Sequence, residues 1–403
     1  MGKGIFFSIP AMGHVNPTLG VVAELRRRGE QILYANNEEM RAVIESSGAT
    51  FLPYPTSDRI ESAWRRTRGG RLTDNALSLN RLAAELLPFA VKLIQREKPD
   101  FIIADSLAAW GKHAAHSIGR RCIASITSFV LTRGTPLPVT TGMKLELASH
   151  LFPTIPAFLE IWFKMRLLHG VNLGLPLDAM TSMADLNLVF TTADLQPGAD
   201  HLDETFHFIG GSINARPSPA DFPFDQLDRQ PLIYISLGTI NNENLDFYKA
   251  CFAALSDYPA QVLLAAGKRT NLADLEPIPE NFFVRNFVPQ LQVLERADLF
   301  VTHGGMNSVH EGLWYGVPLI AIPQQLEQAV VATQVERTGA GVALATRPPY
   351  GKVTAPELRA AVEKVLADRA THQAASKRLG DSLRAAGGAA RAADLILEFT
   401  ASE

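Results

Sequence analysis

The stretch LFVTHGGMNSVHEGLWYGVPLIAIPQQLEQ, residues 299–328, indicates the fold of the chain. Leu299–Thr302 is a short apolar run, which is typical of a parallel strand covered on both faces. His303-Gly304-Gly305 predicts a turn, a helical apolar spacing follows, and Leu319–Ile322 predicts a second buried strand. A strand, a turn, a helix and a second strand form the repeating unit of a doubly wound α/β sheet.

The start of the predicted helix has the features of an anion-binding site. Asn307 and Ser308 are residue types that cap helices, and the glycines before them, including Gly305, allow close approach to the backbone. Free backbone N–H groups and the helix dipole favour a phosphate at this position, beside His303. Glu311, one turn further, either accepts hydrogen bonds from two ribose hydroxyls or only complements the dipole.

Polar side chains follow the second strand of this stretch. Gln324, Gln325, Glu327 and Gln328 come directly after Pro323. Several amides and a carboxylate beyond the carboxyl end of a strand suit a ligand with many hydroxyl groups, although surface polarity would account for any one of them.

The N-terminal half repeats this alternation of strands and helices. Gly4–Ile9 predicts the first strand, and two more strands follow by residue 53. Asn16 is predicted to cap the first helix, with Pro17 at its first helical position. Ligands of such sheets bind beyond the carboxyl ends of the strands, which is where the loop after the first strand carries His14.

A carboxylate closes a later strand of the same half. Phe101–Ala104 is apolar and Asp105 follows it at once. Burying a carboxylate is costly unless it is paired, and His14 is a suitable partner. Such a pair would fix the imidazole tautomer and leave the second ring nitrogen to accept a proton. The alternative is that Asp105 only caps the following helix.

Several motifs together resemble the signature of family 1 glycosyltransferases, the UDP-dependent inverting enzymes of GT-B fold, and in particular their bacterial macrolide-glycosyltransferase-like group. The matching segments are SIPAMGHVNP (8–17), FIIADS (101–106), SLGT (236–239), FVPQ (287–290), HGGMNSVHEGL (303–313), GVPL (316–319) and PQQLEQ (323–328).

The resemblance implies an α/β protein of GT-B fold, in which two Rossmann-like domains face each other across a cleft. It implies that His14 is the general base and Asp105 its partner. The donor-binding residues that it implies are Ser236, Thr239, Phe287, Val288, Gln290, His303, Gly305, Asn307, Ser308, Glu311, Glu327 and Gln328. Phe287 stands where many relatives carry a tryptophan that stacks on uracil. No metal and no resident cofactor are implied, and UDP-glucose is the expected co-substrate.

The predicted domains are an acceptor-binding domain at 1–212, a proline-rich linker at 213–230 and a nucleotide-sugar-binding domain at 231–385. Residues 386–403 are predicted to cross back to the first domain, at the end of helical sequence from Arg369 to Arg391. The arginine-rich stretch Arg59–Arg71 is predicted to be a solvated loop over the cleft.

Composition excludes several classes of partner. The chain has 403 residues, a net charge of −3 and 47% hydrophobic residues, so it has no global attraction for nucleic acid or an anionic membrane. Only two cysteines and an N-terminus unlike a secretion signal predict a cytoplasmic protein. The apolar section 132–177 predicts a wall for an apolar hydroxylated acceptor, such as a macrolide or flavonoid, or a face that rests on a membrane.

Other functions compete with sugar transfer to a small acceptor. A nicotinamide dehydrogenase should carry G-x-G-x-x-G after a strand, but Leu344 occupies the third glycine position after Gly339-Ala340-Gly341. A nucleotide-sugar epimerase, a lipid-acceptor glycosyltransferase and a non-catalytic nucleotide-sugar-binding protein remain open alternatives.

Overall fold

A computed structural model describes residues 2–67, 72–132, 135, 147–176, 178, 183–213, 222–227, 231–238, 243–348 and 350–402. Thr239, most of the predicted linker at 213–230 and the end of the Arg59–Arg71 stretch lie outside these residues. In the described part of the chain, no helix combines the length and the apolar character needed to cross a membrane.

The N-terminal half forms a seven-stranded parallel sheet with the strand order β3-β2-β1-β4-β5-β6-β7. Its strands are β1 (Lys3–Phe7), β2 (Gln31–Asn36), β3 (Thr50–Pro53), β4 (Phe101–Asp105), β5 (Ile123–Ile126), β6 (Leu186–Val189) and β7 (Phe206–Phe208). Its helices are α1 (Met12–Arg27), α2 (Arg41–Glu45), α3 (Asp58–Thr67), α4 (Leu72–Glu97), α5 (Ala109–Ser117) and α6 (Ile155–His169). The central strands are apolar along their length because helices cover both faces.

The C-terminal half forms a six-stranded parallel sheet with the order β10-β9-β8-β11-β12-β13. Its strands are β8 (Leu232–Ser236), β9 (Gln261–Ala265), β10 (Phe282–Arg285), β11 (Leu299–Thr302), β12 (Leu319–Ala321) and β13 (Gly341–Ala343). Its helices are α7 (Leu245–Leu255), α8 (Gln290–Leu294), α9 (Met306–Trp314), α10 (Leu326–Arg337), α11 (Ala355–Ala367), α12 (Arg369–Ala385) and α13 (Gly388–Ala401). Two doubly wound sheets are therefore present, as predicted.

The strand order of each sheet reverses at its centre. In the first sheet β1 pairs with both β2 and β4, and in the second β8 pairs with both β9 and β11. His14 follows β1 and Asp105 ends β4, so both lie at the first switch point. Ser236 ends β8 and His303 follows β11, so both lie at the second switch point, where such sheets bind ligands.

The predicted start of the first helix is wrong. Helix α1 begins at Met12, so His14 lies in its first turn and Pro17 lies inside the helix. Asn16 is not the cap, because Ala11 holds that position without a side-chain hydrogen bond. Pro17 lies beyond the first turn, so it removes the backbone hydrogen bond that an N–H at this position would donate to the Gly13 carbonyl.

Two other segments also differ from expectation. Residues up to 67 of the arginine-rich stretch form α3, because Ile60 and Trp64 share one buried face and Trp64 packs edge-on against Trp110 of α5. The helical sequence after Arg369 is two helices, because Gly387 adopts a positive φ of 88° and interrupts it.

The last helix packs on the first domain. Ala392 and Ile396 of α13 are buried with residues of α1, and Asp394 accepts a hydrogen bond from Arg28 at 2.6 Å. At the start of α13, the Gly388 N–H donates to the Ile209 carbonyl at 2.8 Å. Helix α12 packs on α9 of the second domain, so α12 and α13 link the two halves.

Candidate active site

His14 and Asp105 form a buried pair at the first switch point. Nδ1 of His14 lies 2.8 Å from Oδ2 of Asp105, whose side chain is inaccessible to solvent. Oδ1 of the same carboxylate accepts from the Leu107 N–H at 2.9 Å. Asp105 therefore pairs with His14 as expected, and its other oxygen fixes the turn after β4. The alternative that Asp105 caps the following helix is wrong, because the N-cap of α5 is Ala108, without a side-chain hydrogen bond.

Thr127 is a third member of this group that the sequence reasoning did not single out as a partner of His14. Its Oγ1 lies 3.1 Å from Nδ1 of His14. Thr127 follows β5, which pairs directly with β4, so the strand order places Thr127 near Asp105. That order was the missing signal, because the sequence alone does not say which strands are adjacent.

Tyr54 supports the loop that leads from β1 to His14. Its hydroxyl donates to the Ser8 carbonyl at 2.9 Å and accepts from the Ser8 N–H at 3.1 Å and from Nε1 of Trp110 at 3.2 Å. Burial of Tyr54 raises its pKa well above the ordinary value, so the hydroxyl stays protonated. The loop is thereby anchored at its first residue.

The pKa of His14 lies above its ordinary value of 6.5. Burial acts to lower this pKa, but the Asp105 carboxylate, its hydrogen bond to the ring and the more distant Glu327 together outweigh burial. The pair therefore favours the imidazolium, which is the product of accepting a proton.

The second switch point surrounds His303 with small residues. A Cβ at Gly238 would lie 2.6 Å from Cε1 of His303, and a Cβ at Gly305 would overlap Nε2 of the same ring. Burial lowers the pKa of His303 to about 4, and a hydrogen bond with the Ser236 backbone opposes this shift only in part. His303 is therefore a neutral imidazole with a single N–H, and a bound diphosphate would compete with the Ser236 backbone for it.

Helix α9 begins two to three residues earlier than expected. Gly305 is its N-cap without a side-chain hydrogen bond, so Asn307 and Ser308 lie in the first turn instead of capping it. The N–H groups of this first turn have no partners within the helix, which is the arrangement that binds anions. Because neither side chain is used as a cap, both are available for contacts across the turn.

Glu311 is buried and held by a chain of hydrogen bonds. Nε2 of Gln290 donates to Glu311 Oε2 at 2.6 Å and lies 3.5 Å from Ser308 Oγ. Oε1 of Gln290 accepts from the Tyr234 hydroxyl at 3.0 Å. Gln290, one of the predicted donor-binding residues, thus contacts Glu311, the residue predicted to bind ribose, and fixes the orientation of its carboxylate.

Two residues on one face of α9 contact the first domain. Nδ2 of Asn307 donates to the carbonyl of Gly13 at 3.2 Å, next to His14. Nε2 of His310 lies 3.0 Å from Oγ1 of Thr191, and burial lowers the pKa of His310 to about 4. His310 was missed, although its position one turn after Asn307 placed it on the same helix face. The His14–Asp105 pair and the N-terminus of α9 therefore lie at the same cleft.

The remaining predicted donor residues occupy different environments. Glu327 keeps an exposed surface, yet surrounding protein desolvates its carboxyl group enough to raise the pKa of Glu327, and His14 partly opposes this. In turn, the carboxylate of Glu327 raises the pKa of His14. Gln328 is buried, and its Oε1 accepts from the Gln324 N–H at 2.8 Å. Phe287 is 52% exposed, so its ring is open to a stacking partner, whereas Val288 packs in the core.

Comparison with known proteins identifies similar chains over the full length. Residues 249–394 match the family model of the erythromycin biosynthesis protein CIII-like C-terminal domain. The chain is 32% identical over 99% of its length to the uncharacterized UDP-glucosyltransferase YojK of Bacillus subtilis (strain 168), covering 97% of that protein. It is 35% identical to the NDP-glycosyltransferase YjiC of the same organism, over 97% of this chain and 96% of the relative.

Solved structures have the same architecture. The structure of the glycotransferase of kitacinnamycin superposes with a TM-score of 0.81 at 28% identity, over 98% of both chains. The arrangement of two doubly wound parallel sheets facing across a cleft is therefore the GT-B fold.

Proposed function

The chain belongs to the macrolide-glycosyltransferase-like bacterial group of family 1 glycosyltransferases, and from this membership we propose that it transfers glucose from UDP-glucose to a hydroxyl group of an apolar natural product, with inversion at the anomeric carbon. The observation that carries the proposal is the contact of Asn307 with Gly13, because it brings the His14–Asp105 pair to the anion-binding end of α9.

On the acceptor side, His14 is the general base. Asp105 accepts the Nδ1–H of the ring, which leaves Nε2 to accept the proton of the acceptor hydroxyl. The hydroxyl oxygen forms a bond to the anomeric carbon while the bond from that carbon to the diphosphate oxygen breaks. The proton remains on His14, and the Asp105 carboxylate stabilises the imidazolium.

On the donor side, the first turn of α9 binds the diphosphate. Backbone N–H groups, Asn307, Ser308 and the neutral His303 stabilise the charge that develops on the leaving UDP. Glu311, oriented by Gln290, binds the ribose hydroxyls. The remaining contacts that we assign to the donor are Phe287 to the base, Glu327 and Gln328 to the sugar, and Ser236, Thr239, Val288 and Gly305 to the nucleotide, the last two through their backbone. The scheme uses no metal ion.

The choice of UDP-glucose and of an apolar acceptor rests on the relatives. The relative that is 32% identical is named a UDP-glucosyltransferase, and the matched domain is named for erythromycin biosynthesis. Exposed apolar side chains on α6, among them Phe163 and Leu167, are consistent with an acceptor of low polarity.

An assay of transfer tests the proposal directly. The purified chain is mixed with UDP-glucose and a panel of macrolides and phenols, and UDP release is compared with the mass of the glycoside. We expect UDP and product in equal amounts, and UDP release that depends on the acceptor. Conversion of UDP-glucose to another hexose without an acceptor would contradict sugar transfer and indicate an epimerase.

The pH dependence of transfer should report the His14–Asp105 pair. Because His14 must be neutral to accept a proton and its pKa is raised, kcat/KM should increase with pH up to a pKa above 6.5 and then level off. Asp105→Asn removes the charge that raises this pKa, so burial dominates and the rise should move to lower pH by about 1–3 units, with a lower plateau.

The matched control for this profile is Asp185→Asn. Asp185 accepts from His116 at 2.8 Å, so this pair resembles His14–Asp105 in chemistry but lies elsewhere in the first domain. The control should reproduce the wild-type profile measured between pH 5 and 9. An unchanged profile for Asp105→Asn would show that another group controls the rise.

A further inference from the structure

Pro17 creates an unusual acceptor in helix α1. The helix runs from Met12 to Arg27, so the carbonyl of Gly13 would normally accept from the N–H of the residue four positions later. That residue is Pro17, which has no N–H. The Gly13 carbonyl is therefore left for a partner outside the helix.

Asn307 of the second domain supplies that partner. Its Nδ2 donates to the Gly13 oxygen at 3.2 Å, and Pro17 and Asn307 line the same recess between the domains. His310, on the same face of α9, makes the second contact, with Thr191 at 3.0 Å. The two contacts fix both the position and the rotation of α9 against the first domain.

We propose that Pro17 is a positioning residue for sugar transfer: by withholding an N–H from Gly13, it provides the carbonyl through which Asn307 aligns His14 with the N-terminus of α9. This inference rests on the proposed function. A carboxamide has a second N–H, so Asn307 can hold Gly13 and still contact a diphosphate. The base and the leaving group are then aligned by one shared side chain, and such alignment lowers the barrier without touching the reacting atoms.

The proposal predicts that a substitution which restores a helix hydrogen bond will slow the reaction. Pro17→Ala restores an N–H that can donate to Gly13 within the helix, and the loss of the buried proline ring offsets the gain in stability. Because a carbonyl oxygen has two lone pairs, Asn307 must then share its acceptor with this N–H, which weakens the contact between the domains. We expect a melting temperature close to that of wild type and a kcat lowered by about three- to tenfold, the effect of one weakened or lost hydrogen bond. The KM for UDP-glucose should change less than kcat.

Pro88→Ala is the matched control. Pro88 also lies inside a helix, α4, but its position is exposed. The control loses no buried ring, so its melting temperature should equal or exceed that of wild type, and its kcat should be that of wild type. A Pro17→Ala chain that folds and turns over at the wild-type rate would overturn the proposal.

A double-mutant cycle identifies Asn307 as the partner. Asn307→Ala should lower kcat by itself. Adding Pro17→Ala should then lower kcat by less than about twofold further, because the shared contact is already lost. If Pro17→Ala lowered kcat by the same factor with and without Asn307→Ala, the two residues would act independently and the coupling would be refuted. If the wild-type chain transferred no sugar from any donor, the proposed function would fail. The coupling of Pro17 and Asn307 could still be tested, because the melting temperatures of the same four proteins form a second double-mutant cycle. Additive melting shifts would then overturn this inference as well.

Discussion

Replacing His14 with alanine is expected to lower kcat for sugar transfer by about 10²–10⁴-fold, the usual contribution of a general base. The imidazole is the only group in the proposed mechanism that accepts the acceptor proton, and its Nδ1 lies 2.8 Å from the carboxylate that stabilises its charged form. Affinity for UDP should change little, because the assigned nucleotide contacts come from the second domain. Turnover and UDP binding are measured separately to show this difference.

Loss of structure must be separated from loss of the base. Removing His14 leaves Oδ2 of Asp105 buried without its main partner, which we expect to cost about 1–3 kcal/mol of stability. His14→Asn places an amide donor near the position of Nδ1 and so satisfies Asp105, but an amide cannot accept the proton. We expect this variant to be nearly as stable as wild type and as slow as His14→Ala.

His116→Ala is the control, because it removes another histidine that is paired with a carboxylate. Its ring also contacts a carboxylate, Asp185, at 2.8 Å, but it is exposed and lies away from both switch points. We expect wild-type turnover from this variant. If His14→Asn retained a kcat within about threefold of wild type, His14 would not be the base.

Strand positions could be predicted well from the sequence. Strand β11 has the expected bounds, because a strand buried on both faces is a short continuous apolar run. Since ligands bind beyond the carboxyl ends of such strands, the position of His14 relative to Asp105 could also be anticipated. Their pairing distance of 2.8 Å confirms that the two side chains meet.

Helix starts could not be predicted in the same way. Asn16, Asn307 and Ser308 are all favourable caps by residue type, yet each lies inside a helix. Asn307 instead contacts Gly13 of the other domain, and Ser308 lies near Gln290. Residue type therefore does not fix the start of a helix here, and the contacts that these side chains make join residues far apart in sequence, which a single sequence does not reveal.

The contributions of Thr127 and His310 were missed for the same reason. Thr127 reaches His14 only because β5 lies beside β4, and His310 reaches Thr191 only because the two domains are in contact. The assignment of individual donor-binding residues therefore remains a prediction, and it depends on experiments at the second switch point.

Gly305→Ala is expected to weaken UDP binding by about 10- to 100-fold, the effect of losing one hydrogen bond to a charged group. The backbone of Gly305 has a φ of −64° and a ψ of 137°, which alanine adopts without strain. A Cβ at this position would, however, overlap Nε2 of His303, so the ring must leave its place. The measurement is the dissociation constant of UDP, obtained by calorimetry for wild type and variant.

The cause of this effect is isolated by combining Gly305→Ala with His303→Ala. If the added methyl group acts by displacing the ring, it has nothing to displace once the ring is absent. The double variant should therefore bind UDP as well as His303→Ala alone, whereas a methyl group that blocked the first turn of α9 directly would weaken binding further. Wild-type affinity in Gly305→Ala would mean that His303 does not contact the diphosphate. The neutral state of His303, with its pKa near 4, makes the expected effect independent of pH above about 5.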